Sequence, residues 1–327
     1  MLRCMYSGIS GMKVNQTKLD VIGNNIANVG TTGFKSSRAE FTDMLYQSSE
    51  AATAPTTSKG GTNAKQVGLG AKLSSINKVM GQGNALSTGR TLDVCVDGDG
   101  YLMVAKGVSN ATIKVASNAI TTGGTADDTY FTRDGNLTLD KDGNLLTSDG
   151  YRVMGYAITG TTTTYANGVP SITAAASADN AKAAAGTLVP MVIPDKIGTG
   201  ATAQPIKKFE IGKDGLITAI LGSGSRVALG QIGMASFKNP EGLTAVGGNL
   251  QTVSSNSGDP IIKSELGSTT DNSKGFGDIV QGALEGSNVD LTEQFTDMIT
   301  ATRSFQASSK MVTTGDEILQ TITGLIR

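Results

Sequence analysis

The C-terminal stretch from Asp290 to Arg327 carries an apolar repeat that predicts a long helix with one uncovered side. Apolar side chains alternate at steps of four and three residues, and polar residues fill the gaps, as in a heptad seam. The apolar positions are Leu291, Phe295, Met298, Phe305, Val312, Leu319 and Ile326, and the gaps are Thr302, Ser309, Asp316 and Thr323. Asp290, with Glu293 three residues later, marks the helix start. A helix of about 37 residues is roughly 55 Å long, and it needs a partner because it cannot cover its own apolar stripe.

The N-terminus repeats this spacing and offers such a partner. Its apolar positions are Met5, Ile9, Met12, Leu19 and Ile26, with Gln16 and Gly23 in the gaps. We therefore predict that the two termini form one helical layer, although an ordinary antiparallel helix pair closing a globular domain fits the pattern equally well. Each helical glycine costs about 1 kcal/mol relative to Ala, and the segment contains Gly8, Gly11 and Gly23. We expect the pair to be loose in a monomer and ordered by neighbouring molecules.

Between the termini the chain is rich in short apolar runs separated by Asp-Gly turns, which predict a meander of antiparallel strands. These turns begin at Asp97, Asp134, Asp142, Asp149 and Asp214. The predicted fold is mixed α and β and multi-domain, with paired, coiled-coil-like N- and C-terminal helices enclosing an inserted antiparallel β-rich domain that carries a small outer lobe. The predicted parts are a helical inner domain of residues 1–34 and 287–327, a linker or loop over 35–70, a β-rich domain of 71–158 and 205–286, and a low-complexity outer lobe over 159–204.

Composition argues against several functions. The 327 residues carry a formal net charge of −1, which does not indicate a nucleic-acid or membrane partner. The chain has no His or Trp, and aromatic residues make up 5%. Without His it lacks the usual general base and the commonest metal ligand, which argues against an enzyme, although catalysis by carboxylates alone stays open. No membrane span or secretory signal is recognisable, so conventional signals predict a cytoplasmic protein.

Motifs for bound groups are weak. The segment 140–144 resembles the opening of a calcium loop, but Tyr151 stands where a bidentate Glu is needed. The glycine pairs at 68–70 and 81–83 lack the third glycine of a dinucleotide fingerprint. Cys95 lies in an apolar run and is predicted to be a buried small apolar side chain, and we do not expect a disulfide with Cys4. We predict no catalytic residue, no cofactor and no metal ligand.

Both ends of the chain resemble the hook and rod family of bacterial flagellar axial proteins. The segments that carry the resemblance are Met5–Met12 (MYSGISGM), Leu19–Val29 (LDVIGNNIANV), Thr32–Lys35 (TGFK), Gly286–Leu291 (GSNVDL) and Asp316–Gln320 (DEILQ). Within the family the chain looks most similar to the hook branch, on the segment Gly60–Gly70 and on its length. It departs from that branch in the outer lobe, which is smaller than hook proteins usually carry.

The resemblance implies a function and an architecture. Paired terminal helices would line an axial channel with β domains outside, and the subunit would polymerise into the flagellar hook, a hollow, bendable, torque-transmitting tube between rod and filament. The apolar positions of the two helices would then pack between subunits, and Gly30, Gly33, Gly282 and Gly286 would act as hinges. A subunit of the distal rod is the alternative, and a secreted β-rich adhesin or enzyme with a helical stalk is a more distant one.

The resemblance also implies partners and a location. The expected partners are copies of the chain itself, other axial proteins of the rod, hook cap and hook–filament junction, and the flagellar export apparatus. Neither nucleic acid nor membrane insertion is expected. Export through the flagellar type III apparatus would place the protein in the hook or basal body, extracellular after export, which replaces the cytoplasmic prediction.

Overall fold

The chain is described here by a computed structural model, in which residues 2–57, 59–121, 123–126, 128–166, 169–178, 181–198, 203–268 and 271–325 are placed. Ile326 of the apolar repeat lies outside these ranges. The backbone divides into two compact units. Unit 1 comprises Met1–Val29, Lys35–Val79 and Val289–Arg327, and unit 2 comprises Gly30–Phe34 and Met80–Asn288. The chain therefore passes between the units four times.

Unit 1 contains both long helices, as the terminal repeats predict. Helix α1 spans Leu2–Ala27 and helix α2 spans Leu291–Leu325. The predicted cap of α2 is present: the side-chain Oδ1 of Asp290 accepts hydrogen bonds from the backbone N–H groups of Thr292 at 2.8 Å and Glu293 at 3.4 Å. These bonds satisfy two of the donors that a helix start leaves free.

Unit 1 also contains four strands, of which three lie where a linker or loop over 35–70 was predicted and the fourth lies in residues assigned to the predicted β-rich domain. They are β1 (Ser37–Asp43), β2 (Tyr46–Glu50), β3 (Lys65–Gly68) and β4 (Ala71–Lys78). β1 pairs antiparallel with β4, and β2 pairs antiparallel with β3. The loop prediction was wrong because it relied on composition, and the segment is rich in Ser, Thr, Ala and Gly. The hydrogen bonds that pair these strands come from the backbone, so they do not require apolar side chains.

Unit 2 is built from strands, and its helical turns within the placed residues are short 3-10 segments. The strands are β5 (Ala85–Ser87), β6 (Val94–Asp97), β7 (Tyr101–Lys106), β8 (Ile113–Ala116), β9 (Ala119–Thr121), β10 (Asp128–Thr132), β11 (Leu137–Leu139), β12 (Leu145–Thr147), β13 (Arg152–Ile158), β14 (Thr162–Ala166), β15 (Val169–Ala174), β16 (Ala176–Ser177), β17 (Ala183–Pro190), β18 (Lys196–Ile197), β19 (Gln204–Ile211), β20 (Leu216–Leu221), β21 (Arg226–Ile232), β22 (Met234–Ser236), β23 (Thr244–Gly247), β24 (Leu250–Thr252), β25 (Ile261–Ile262), β26 (Asp278–Gln281) and β27 (Ala283–Glu285).

The strand pairing is almost wholly antiparallel, in agreement with the predicted β-rich domain. Among the placed strands, β15 and β18 form the one parallel pair, at Ile172 and Ile197. Three of the predicted Asp-Gly hairpins are present, because β11 pairs with β12, β12 with β13, and β19 with β20. The strands β14 to β18 pair with one another and with β8, β13, β19 and β21. The division into units does not separate residues 159–204 from the rest of unit 2, so a distinct outer lobe is not confirmed.

The predicted hairpin at Asp97 is wrong. β6 pairs with β26, from the far end of the chain, whereas β7 pairs with β10, β13 and β22. Val94, Cys95 and Val96 are each at most 1% exposed, so β6 is covered on both faces. A strand buried in this way takes its partner from tertiary packing, and a turn sequence cannot override that choice.

Strand β7 runs between the two apolar clusters of unit 2. Leu102 and Val104 join one cluster, while Tyr101, Met103 and Ala105 join the other. This division follows from the two-residue period of a strand, which sends alternate side chains to opposite faces. Cys95 is buried and Cys4 is exposed, and the two do not form a disulfide. Neither helix contains a stretch long and apolar enough to cross a membrane, over the residues that were placed.

Candidate assembly surfaces

Over the placed residues, no cluster of three or more Cys, Asp or Glu side chains is arranged to hold a metal ion. The candidate functional features are instead surfaces: the helix pair of unit 1, the apolar side chains that this pair leaves exposed, a two-stranded arm, and an anchored segment in unit 2.

The two helices of unit 1 pack against each other in antiparallel orientation. Lys18 near the end of α1 donates to Asp297 near the start of α2, with 3.1 Å between Nζ and Oδ1. At the other end, a Cβ added to Gly315 would lie 3.0 Å from the Cγ atom of Met5. Residue numbers therefore rise along α1 as they fall along α2, which is the arrangement of an antiparallel helix pair.

One of the two predicted rows of the seam lies in place. Its members recur at intervals of seven residues and are partly buried; they are Met5, Met12, Leu19 and Ile26 on α1, and Met298, Phe305, Val312 and Leu319 on α2. A seven-residue interval keeps side chains on one face of a helix. This row therefore agrees with the predicted pattern.

The second row is shifted by one residue from the prediction on both helices. On α1 the inward positions are Gly8, Asn15 and Ile22, where Ile9, Gln16 and Gly23 were predicted, and Ile22 is 3% exposed. On α2 the corresponding positions are Gln294, Ala301, Ser308 and Gly315, in place of Phe295, Thr302, Ser309 and Asp316. The prediction missed this row because it followed the larger apolar residues, whereas small side chains occupy the closest contacts.

Glycine enables this close contact, which corrects the expectation that it only weakens the pair. A Cβ added to Gly8 would lie 3.1 Å from Cγ2 of Val312 and 3.3 Å from the carbonyl oxygen of Ser308. At Gly11 it would lie 3.0 Å from Oγ of Ser308. A larger side chain at these positions would push the helices apart. Gly23 differs, since nothing lies within 4 Å of its added Cβ.

The side-chain amide of Asn25 links three elements of unit 1. Its Nδ2 donates to the carbonyl oxygen of Ser37 in β1 at 2.8 Å, and its Oδ1 accepts from the Ser37 N–H at 2.9 Å. Nδ2 also donates to Oε1 of Gln294 on α2 at 3.0 Å. Asn25 is 1% exposed, and a buried amide is tolerated because its partners are met. Periodicity does not predict this role, since Asn25 lies outside the seam positions that the apolar spacing predicts.

Several large apolar side chains of the helices face away from the pair. Ile9 is 37% exposed, Leu291 39% and Phe295 50%, so their predicted place in the seam of the chain's own helix pair is wrong. Other large apolar side chains of the helices, which were not predicted to lie in the seam, are also exposed: Tyr6, Ile299, Met311, Ile318, Ile322 and Leu325. One copy of the chain therefore leaves these side chains uncovered. Their packing between subunits stays a prediction.

The strands β2 and β3 form an arm without a core. Every residue of both strands is exposed, including Tyr46 at 58% and Val67 at 47%. Between them, Thr53 and Thr62 exchange backbone hydrogen bonds at 3.0 and 3.2 Å. An isolated two-stranded hairpin is marginally stable in water, so this arm is expected to gain stability from contact with another surface.

In unit 2 the segment 30–34 is anchored by hydrogen bonds. The N–H of Gly33 donates to the carbonyl oxygen of Glu285 at 2.8 Å, and the Thr32 hydroxyl donates to Oδ1 of Asp134 at 2.9 Å. Gly33 has φ +66°, and a Cβ there would lie 2.9 Å from the backbone nitrogen of Asp134. Only glycine meets both conditions without strain. Burial raises the pKa of the Asp134 carboxyl, while hydrogen bonds from Asn136 and Thr32 oppose that rise.

A buried ion pair lies beside this segment. Nη1 of Arg133 and Oε2 of Glu285 are 3.5 Å apart, and these side chains are 5% and 0% exposed. Oε1 of Glu285 also accepts from the Gly83 N–H at 3.0 Å. The guanidinium carbon of Arg133 lies 5.1 Å from the centre of the Tyr101 ring, a cation–π contact. Each charge therefore faces an opposite charge, although Nε of Arg133 is buried without a hydrogen-bond partner among the placed residues.

The four predicted hinge glycines differ in their surroundings. Gly33 is held as described, Gly282 donates to the carbonyl oxygen of Asp93 at 2.8 Å, and Gly286 donates to that of Asn84 at 2.8 Å. Gly30 is exposed, and nothing lies within 4 Å of its added Cβ. A division between units also falls directly before Gly30. The hinge role of all four stays a prediction, with Gly30 the least constrained by packing.

Comparison with family models matches three parts of the chain to flagellar proteins. Residues 5–35 match the model described as flagella basal body rod protein. Residues 120–219 match the flagellar hook protein FlgE/F/G D1 domain, and residues 280–325 match the C-terminal model of the flagellar basal body rod FlgEFG protein. The matched parts thus include both helices and part of the β unit.

Similar proteins extend the match to the whole chain. The flagellar basal-body rod protein FlgG of Bacillus subtilis is 41% identical over 327 residues, covering 100% of both chains. The FlgG protein of Agrobacterium fabrum is 33% identical and covers 97% of both. The flagellar hook protein FlgE of Borreliella burgdorferi is 29% identical over 461 aligned positions, covering 99% of this chain and 100% of that protein.

Proposed function

The chain belongs to the family of flagellar hook and basal-body rod proteins, and on this premise we propose that it is a rod-type subunit that polymerises with copies of itself. The family is structural, and its members are components of the flagellar hook and basal body. The proposed role is therefore mechanical: the chain forms part of the axial structure and makes its contacts through the surfaces of unit 1.

One observation carries the choice of the rod. A relative named as a rod protein aligns with this chain from end to end over 327 residues, whereas the alignment with the hook relative extends over 461 positions. The hook relative therefore has additional sequence that this chain lacks. Length, which was expected to favour the hook, supports the rod instead.

The hook remains the second candidate, and one observation favours it. The hook protein of Borreliella burgdorferi is 29% identical with coverage of 99% of this chain. A hook subunit would use the same helices and β unit, and it would belong to the bendable part of the axial structure.

Electron microscopy of hook–basal bodies from a strain that lacks the gene distinguishes the two candidates. A rod subunit predicts a shortened rod with no hook attached, because a hook has nothing to grow from. A hook subunit predicts a complete rod without a hook. Re-expression of the natural chain should restore the structure in either case, and intact hook–basal bodies without the gene would exclude both candidates.

The proposed polymer uses the helix pair as its inner layer. The shifted seam still has seven-residue spacing on both helices, which supports coiled-coil-like packing, and the side chains facing away from the pair would contact neighbouring subunits. Other axial proteins of the flagellum would bind the two ends of the polymer. The subunit would reach the growing polymer through the flagellar export apparatus.

Two further segments have proposed mechanical roles. The β2–β3 arm would bridge to a neighbour, which would cover its exposed strands and stiffen the polymer. Gly30 would allow the chain to bend where it passes from unit 1 to unit 2, since its surroundings leave room for backbone rotation. Residues 159–204 would face outward as a small lobe.

A further inference from the structure

Unit 1 contains an apolar groove between helix α1 and the strand β4 with the segment before it. Its volume is about 580 Å³, within the range of about 300–1,000 Å³ that binding pockets occupy. The apolar lining comes from both sides: Tyr6, Ile9 and Val14 on the helix, and Met44, Leu69 and Leu73 on the other side. Tyr6 is 68% exposed and Leu73 39%, so the groove is open to solvent.

The charged lining of this groove is entirely positive. Lys13 on α1 and Lys72 on β4 line it and are exposed, and the lining includes no acidic residue. Neither lysine forms an ion pair with any residue placed in the structure. An apolar groove with two free cations favours an apolar segment that brings acidic side chains beside it.

The end of helix α2 has this chemistry. Ile318, Ile322 and Leu325 are 45%, 38% and 81% exposed, and their spacing of four and three residues places them on one helix face. Glu317 directly precedes Ile318, is exposed, and lies at the edge of this face, about 100° from Ile318. Asp316 lies on the opposite face, where its Oδ2 accepts a hydrogen bond from Nε2 of Gln320 at 2.9 Å. The segment therefore presents an apolar stripe with negative charge at its start.

This end of α2 projects past its own partner helix. Gly315 of α2 lies opposite Met5 of α1, and α1 begins at Leu2. Because the pair is antiparallel and α2 continues as one helix to Leu325, its C-terminal end extends about 10 Å past the start of α1 and away from the groove. The stripe cannot fold back into the groove of the same molecule without breaking the helix.

We propose that the α2 stripe of one copy, formed by Ile318, Ile322 and Leu325, occupies the groove of a second copy, with Glu317 beside Lys13 and Lys72. This contact rests on the proposed function as a polymer subunit and names the surfaces that join. It joins two different patches, so its repetition in one direction produces a filament where the rotation between copies does not close a ring.

Cysteine cross-linking between two differently marked copies tests the contact. The background carries Cys4→Ser, because Cys4 is the exposed thiol and Cys95 is buried. One copy carries Ile9→Cys and the other Ile322→Cys, and both are expressed together in cells that lack the natural gene. After mild oxidation of the isolated axial structures, we expect a disulfide-linked pair, since that bond forms only when the two Cα atoms come within about 7 Å.

The matched control replaces Ile322→Cys by Gln320→Cys. Gln320 is exposed on the same two turns but is rotated by roughly 200° from Ile318. Its cross-linking with Ile9→Cys should be several-fold weaker. Axial structures that form normally but yield no Ile9–Ile322 product, or yield equal amounts with the control, would overturn the groove contact and leave the proposed function standing.

Charge reversal provides a second measurement without cysteine. Lys13→Glu with Lys72→Glu should reduce the number of axial structures, and Glu317→Lys should do the same. All three changes together should restore assembly toward the natural level. Failure of this rescue, with the variants folded by circular dichroism, would contradict the pairing. Absence of the natural chain from isolated hook–basal bodies would instead refute the proposed function, and the groove contact with it.

Discussion

At the scale of single residues, small and buried polar side chains decide how the helix pair is held together. Gly8, Gly11 and Gly315 allow the backbones to approach, and Asn25 ties α1 to β1 and to α2. A propensity scale counts each helical glycine as a loss of about 1 kcal/mol. In this structure the loss is offset by contacts that a Cβ would prevent.

The two glycines of α1 with opposite surroundings provide a matched test. Gly8→Leu should destabilise the helix pair by about 1–3 kcal/mol, because the added side chain overpacks against Val312. Gly23→Leu should stabilise it by up to about 1 kcal/mol, because Leu has the higher helix propensity and meets no neighbour. The measurement is thermal unfolding of the monomer followed by helical ellipticity. Equal shifts of the unfolding temperature for both variants would show that the two helices are not in close contact at Gly8.

The buried pair Arg133–Glu285 gives a second prediction at this scale. Glu285→Ala should destabilise unit 2 by about 3–5 kcal/mol, because it leaves the Arg133 charge buried without its carboxylate. The control is Glu210→Ala, which removes an exposed partner of Lys208 and should change stability little. Chemical denaturation followed by tyrosine fluorescence measures both variants. A loss of less than 1 kcal/mol for Glu285→Ala would show that water compensates Arg133.

At the scale of elements, α2 is longer than the surface available to cover it. Only Ala301 and Gly315 are buried among its described residues. A helix in this state is stabilised by tertiary or quaternary contact more than by propensity. Neighbouring subunits are the proposed source of that contact.

Truncation of the seam tests the role of α2 in assembly. Phe305→Ala and Leu319→Ala should each abolish polymer while leaving the melting temperature of unit 2 unchanged, since burial of each side chain contributes about 2–3 kcal/mol in every subunit. Gln306→Ala is the control because Gln306 is exposed and adjacent. Sedimentation and calorimetry measure assembly and melting. A lower melting temperature of unit 2 with normal assembly would contradict the polymer reading.

The β2–β3 arm is the second element whose stability needs an explanation. Replacement of residues 47–65 by a short Gly-Ser turn should leave the melting of the monomer unchanged, because every residue of both strands is exposed. It should shorten or weaken the polymer if the arm bridges subunits, as electron microscopy would show. A normal polymer from this variant would exclude the bridging role.

At the scale of the whole molecule, the two units differ in how many buried apolar residues they contain. Of the buried apolar residues within the described ranges, Ile22 and Ala301 belong to unit 1, and all others belong to unit 2. Two apolar clusters hold unit 2 together. Unit 2 therefore has the core of an independent domain, and unit 1 does not.

Hydrogen exchange of the dilute monomer should show this difference. Residues 1–65 and 287–327 should exchange within seconds to minutes and be open to protease, while a resistant fragment near 67–285 remains. In the polymer, protection of the helices should rise strongly. Slow exchange across Leu291–Leu325 at low concentration would show that the helix pair is stable without neighbours.

Periodicity was sufficient to predict both terminal helices, the Asp290 cap and the β-rich insertion between them. These are local properties: an apolar repeat or an Asp-Gly turn acts within a few residues of itself. The family resemblance, read from the terminal segments, is confirmed by relatives that match the whole chain. The terminal segments did not distinguish a hook protein from a rod protein. That choice rested on the length of the chain and on one loop.

Other features depend on contacts between distant parts of the chain. The second row of the seam differs from the predicted row by one position, because Gly8, Ala301 and Gly315 pack closely only when the partner helix is present. β6 pairs with β26 rather than with the adjacent β7. Such a pairing forms because the two strands bury apolar surface together. The strands lie nearly 200 positions apart in the sequence, so no local sequence pattern predicts that they pair.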